Sequence, residues 1–159
     1  MRRLSFLLVF LLSLTGCSGP GYFEPIPPST PDRATLYLFR PKADNPGRQP
    51  LRFSYPDILI DEQSVGTLEF NSYRRIELAP GNHNLRVTGL TRKASWEPRD
   101  IKQAFSIAPG EIKYLKLDVR FNLNEMMLGN PGPSYLIRVT PMRPDDAIYQ
   151  IRETEPQTP

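Results

Sequence analysis

Proline places the first limit on what this chain can fold into. Eighteen of its 159 residues are proline, about twice the usual share of roughly 5%. The proline ring clashes with the preceding helical turn and has no N–H for a strand ladder. It is therefore confined to turns, strand edges and linkers. The chain must be built from short segments joined by many turns. Aromatic and β-branched residues are plentiful, which separates it from a disordered sequence. At this length one domain of ordinary size is expected.

The segments between the prolines alternate with period two, the pattern of half-buried strands. Thr35-Leu36-Tyr37-Leu38-Phe39 is a β-rich run closed by Arg40-Pro41. Lys42 to Pro50 reads as a loop and Arg52 to Ile60 as a second strand region, interrupted at Pro56. Asp61-Glu62-Gln63 is a short turn, and Val65 to Phe70 returns from it as a hairpin strand. Tyr73 to Leu78 leads into Ala79-Pro80-Gly81-Asn82, and Leu85 and Val87 alternate with polar residues beyond it. Proline sets φ and glycine supplies φ > 0 in such a turn, so a second hairpin is expected. The motif recurs at Ala108-Pro109-Gly110-Glu111, about 29 residues later, before Leu115, Leu117, Val119 and Phe121. Tyr135 to Val139 is a last clear strand. Asp145 to Arg152 reads either as a short helix capped by Asp145 or as another strand, and the spacing of Ile148 and Ile151 favours the helix. The fold class expected is all-β: an antiparallel β-sandwich of about eight short strands.

The N-terminus carries a different signal. Met1-Arg2-Arg3 is basic, and Leu4 to Leu14 is almost entirely Leu, Phe and Val broken by serines. That run is short of the roughly 20 residues a membrane-spanning helix needs, and matches a secretory h-region. It ends in Leu14-Thr15-Gly16-Cys17-Ser18, which resembles the lipobox of bacterial lipoproteins. The resemblance implies cleavage before Cys17, a diacylglycerol on its thiol and acylation of the new amine, a stable anchor. Ser18 in that position implies sorting to the outer membrane of a Gram-negative cell. Cys17 is the sole cysteine, so no disulfide can form within the chain.

Four parts are expected: a signal peptide at 1–16, a lipidated, proline-rich tether at 17–33, a sandwich at 34–144, and a short helix or strand with a disordered tail at 145–159. The tether is expected to be extended and to hold the domain away from the lipid. Three further stretches are similar to bacterial lipoproteins with a compact β domain of unknown function: Leu38-Phe39-Arg40-Pro41, the hairpin from Ile58 to Leu68, and Ser72-Tyr73 followed by Glu77-Leu78-Ala79-Pro80-Gly81 and His83. They also resemble the PEGA type of surface β-sandwich, with Ala-Pro-Gly where that pattern has Pro-Glu-Gly-Ala. The resemblance implies a binding or structural module.

The formal charge of +3 gives no case for a nucleic-acid partner, because loss of Arg2 and Arg3 from the 20 Lys and Arg leaves 18 against 17 Asp and Glu. His83 is the sole histidine and stands directly after a turn, where bonding that turn is its expected role. No second His or free Cys stands ready for a metal, and no phosphate loop, dinucleotide fingerprint or nucleophile elbow is present. No catalytic residue, metal or cofactor is expected. Two segments are read as contact loops: Thr91 to Asp100, with Trp96 and Arg99, and Asn122 to Ser134, with Met126 and Met127. The expected function is a non-enzymatic envelope lipoprotein on the periplasmic face of the outer membrane, binding an envelope protein or another envelope component. The alternative is an envelope hydrolase using carboxylates or His83.

Overall fold

The computed structural model describes residues 22–44, 47, 49–91, 94–124 and 135–157, and their side chains except for residues 90–99. The elements run in the order β1 (Ala34–Arg40), β2 (Asp57–Ile60), β3 (Gln63–Thr67), β4 (Ser72–Leu78), β5 (Gly81–Thr91), β6 (Ala94–Ile107), β7 (Ile112–Phe121), β8 (Tyr135–Met142), α1 (Pro144–Ile151) and β9 (Glu155–Pro156). They form a sheet ordered β8-β7-β1-β4-β9 and a second ordered β3-β2-β5-β6. The all-β sandwich expected from the alternation is the fold, with one short C-terminal helix. Most neighbouring strands are antiparallel, but β1–β7 and β4–β9 are parallel.

Within the strands, the prolines obey the ladder rule. Pro98 lies in β6, Pro141 in β8 and Pro156 in β9, and each of these is an edge strand. There the missing N–H breaks no interior bond, and the proline blunts an edge that could otherwise pair with another chain.

Alternation fills the space between the sheets. Leu36 and Leu38 of β1, Leu115 and Leu117 of β7, Ile58 and Ile60 of β2, and Leu85 and Val87 of β5 belong to one buried cluster. Each such side chain contributes about 1.5–3 kcal/mol relative to exposure. The outer face of the second sheet is wet, and Arg86 there pairs with Glu62 and Asp100. The outer face of the first sheet is covered. Tyr37 and Phe39 of β1 and Tyr114 of β7 pack against Ala147 and Ile151 of α1 and against Phe23 from the N-terminal segment. β1 is thus buried along its whole length.

The two Ala-Pro-Gly motifs do not make hairpins. β4 and β7 belong to the first sheet and β5 and β6 to the second, so each motif carries the chain from one sheet to the other as an arch. Gly81 and Gly110 adopt φ of 138° and 73°, which a side chain rarely tolerates. Gly81 pairs with Ile107, so the arches stand side by side. The start of β1 is threaded beside them: Gly110 N–H donates to Arg33 O at 2.7 Å and Thr35 N–H to Glu111 O at 2.9 Å.

Three further expectations are corrected. Residues 94–100 are strand, not loop: Leu90 pairs with Ser95 and Thr91 with Ala94. Asp145 does not cap α1; Arg143 is the N-cap, Pro144 starts the helix, and no side chain caps it. Proline suits that position because the first-turn N–H groups have no intrahelical partner. An eight-residue helix is marginal alone, and packing on the sheet holds this one. The polar tail is tied in as far as Gln157: Glu155 N–H donates to Asn71 O and Gln157 N–H to Tyr73 O, both at 2.9 Å.

The N-terminal segment is a strap, not a free spacer, from Phe23 onward. It runs antiparallel to β1 over the outer face of the first sheet. The Phe23 ring meets Tyr37 and Tyr73 edge-on, with centroids 5.4 Å away in each case. Ile26 N–H donates to Tyr37 Oη at 2.8 Å, and Arg75 Nη2 to Pro27 O at 2.8 Å. Ser29 donates to the Glu77 carboxylate from both its backbone N–H and its hydroxyl. These bonds hold the Glu77 carboxyl below its ordinary pKa, with Arg75 and Arg33 adding to the effect.

Candidate functional site

The arch end holds the start of β1. At the opposite end, β1 finishes at Arg40, and β7 runs on past it because Phe39 is level with Lys116. Lys116, Asp118 and Arg120 alternate along this overhang on the outer face of the first sheet. The last turn of α1 and the loop after β1 rise on either side. The result is an open groove of about 530 Å³, lined among others by Lys42, Lys116, Asp118, Arg120, Tyr149 and Glu153. Asp118 sits between two cations, 2.8 Å from Arg120 Nε and 3.8 Å from Lys116 Nζ. Arg152 stands over the Tyr149 ring, 4.0 Å from its centroid. A groove of this kind offers fixed charges of both signs beside an exposed aromatic, an arrangement suited to binding a polar partner.

The loop beyond β1 is fixed by a buried charge. The Arg40 side chain points inward and is 1% exposed. Its Nη1 donates to Ser54 O at 2.7 Å, and its Nη2 donates to Leu51 O at 2.7 Å and Pro50 O at 3.4 Å. Burial pushes the guanidinium down to about 10, with Tyr55 opposing the shift, so it remains charged at neutral pH. Leu51 is held at φ 51°, a conformation that is uncommon without glycine. The loop turned in this way presents Arg52 and Phe53 outward, and Arg52 stands 5.5 Å from the Phe53 centroid.

His83 is bonded to its own turn, the role expected of it. Its Nδ1 lies 2.6 Å from Asp61 Oδ2 and its Nε2 lies 2.9 Å from Ala79 O. A carboxylate and a carbonyl only accept, so the protonated ring, with both nitrogens donating, satisfies both partners. Burial pulls its pKa down, but the Asp61 hydrogen bond, the Ala79 carbonyl and the Asp61 charge together raise it above the ordinary value. With both nitrogens engaged, the ring has none left to activate a nucleophile. Among the described residues no three His, Cys, Asp or Glu are grouped to hold a metal.

The residues singled out from sequence fall elsewhere. Cys17, Met126 and Met127 lie outside the described residues. Trp96 and Arg99 are on β6, and their side chains also lie outside the description. The groove residues were legible only as the polar half of an alternating strand. Lys116-x-Asp118-x-Arg120 carried the signal, but the walls supplied by α1 and the loop after β1 are non-local.

Comparison with family models, curated proteins and solved structures finds no match for this chain.

Proposed function

We propose that the protein is a non-enzymatic envelope lipoprotein, anchored through Cys17 on the periplasmic face of the outer membrane, and that its sandwich binds a protein of the envelope. The lipobox and Ser18 support the address. The observation that carries the binding role is the groove of Lys42, Lys116, Asp118, Arg120 and Tyr149, in which three charges lie on β7, Tyr149 on α1 and Lys42 in the loop after β1. Among the described residues no helix is long and apolar enough to cross a bilayer, and an acyl anchor needs none.

The test is photo-crosslinking in intact cells from a reactive amino acid placed at Tyr149. A discrete crosslinked protein, lost when Arg120→Glu is added, is expected. Absence of any discrete species from this position would contradict the groove as the contact surface. Retention of the partner by that variant, with loss in Trp96→Ala combined with Met127→Ala, would move the contact to the segments singled out from sequence.

A second function has one observation in its favour, since Asp118 and Glu153 line the same groove. Paired carboxylates are the machinery of glycoside hydrolysis. Turnover of cell-wall glycan by the wild-type chain, abolished in Asp118→Asn and Glu153→Gln, would favour a hydrolase.

A further inference from the structure

Exposed apolar side chains are normal when scattered, but four of the large ones are gathered at one end, apart from Ile26 on the strap and Tyr149 in the groove. Tyr22, Phe53, Leu123 and Leu136 are all large, apolar and exposed, Tyr22 and Phe53 at 84% and 80%. Each maps to the end where β1 finishes. Phe53 is in the loop held by Arg40. Leu136 pairs with Arg120, four residues past the last β1–β7 pair, and Leu123 follows the end of β7. Tyr22 shares a hollow with Gln157, which accepts from Glu69 N–H and Ser72 Oγ, and Ser72 is level with Arg40. The arch end carries polar residues instead: Asp61, Glu62 and Asp146 are paired there with His83, Arg86 and Arg143.

The strap adds a constraint on reach. It is docked from Phe23, so only five residue steps separate Cys17 from Tyr22. Five steps span at most about 18 Å. β7 alone, with 10 residues, is about 33 Å long. An anchor at Cys17 therefore keeps the Tyr22 end close to the lipid and leaves the arch end remote.

We propose that this end of the sandwich is a membrane-docking surface that seats Tyr22, Phe53, Leu123 and Leu136 among phospholipid headgroups, with Arg52 toward the phosphates. The inference rests on the anchoring of Cys17 given above. Aromatic side chains favour the bilayer interface, and arginine complements its phosphates.

The test uses the full lipidated protein in vesicles of phosphatidylethanolamine and phosphatidylglycerol. Nitroxide labels are placed at Phe53→Cys, Leu136→Cys and, at the arch end, Ala108→Cys. Collision rates with oxygen and with a water-soluble nickel chelate are measured. A several-fold lower nickel rate at 53 and 136 than at 108 is expected. Equal rates at all three positions in protein that floats with the vesicles would overturn the docking and leave the anchor standing. Failure of the unlabelled wild-type chain to float would overturn the anchoring, and the docking with it.

Discussion

His83 Nδ1 lies 2.6 Å from Asp61 Oδ2, and that contact joins two turns that are distant in sequence. Asp61 and Glu62 have φ of 50° and 65° and form the two-residue turn between β2 and β3, where both central residues need φ > 0. His83 follows the first Ala-Pro-Gly arch and bonds back to Ala79 O. The pair therefore ties a hairpin within the second sheet to the crossing between sheets. Since the folded-state pKa of His83 is raised, its stabilisation is complete below the unfolded value of about 6.5 and is lost as pH rises through the folded value. Asp61→Asn removes the charge. The burial effect then acts without it, and the His83 pKa read by NMR titration falls. An unchanged titration would mean the pair is not formed in solution.

Arg40 is expected to be the most sensitive polar residue of the core. Arg40→Ala leaves the carbonyls of Leu51 and Ser54 without their charged donor and opens a cavity. A loss of about 3 kcal/mol is expected, read as a lower urea midpoint at unchanged slope. Arg40→Lys retains the charge but not the fork, and recovers only part of the loss.

The strap gives a graded prediction. Tyr37→Phe keeps the ring but removes the acceptor for Ile26 N–H, at about 1 kcal/mol. Hydrogen exchange at Ile26 should accelerate while exchange in β7 stays slow. Glu77 has a lowered pKa, so its hold on Ser29 is present above the ordinary carboxylate range and lost as pH falls through the folded value. The strap should therefore loosen on acidification before the sandwich unfolds.

Thr35 is fully buried on the covered face of β1, and its hydroxyl has no hydrogen-bond partner. Thr35→Val keeps the β-branched shape and removes that unpaired group. The variant should be as stable as wild type or more stable by up to about 1 kcal/mol. A clear loss in thermal melting would show that the hydroxyl is bonded in solution.

The sequence carried the strands and the inward residues because alternation is a local property. Leu36, Leu38, Leu115 and Leu117 could be placed without any knowledge of the sheet. It did not carry which sheet each strand joins. Ala79-Pro80-Gly81 has the local chemistry of a hairpin turn, and only distant pairing, with β1 for β4 and with β2 and β6 for β5, makes it an arch. The strap was illegible for the same reason. Its prolines describe an extended chain correctly, but the rings that receive Phe23 belong to β1 and β4. The aromatic outer residues of β1, Tyr37 and Phe39, were the available sign that this face would be covered. The stretch from Thr91 to Asp100 read as a loop, but most of it belongs to β6, where Pro98 is tolerated because the strand is an edge.

The central claim, a β-sandwich anchored by lipid at Cys17, is tested most directly by mass spectrometry of the mature N-terminal peptide from cell envelopes. The expected result is a peptide that begins at Cys17 and carries a diacylglycerol on its thiol and an acyl group on its amine, with Cys17→Ala accumulating uncleaved. A mature chain with an unmodified Cys17 thiol, or one that begins at another residue, would contradict it.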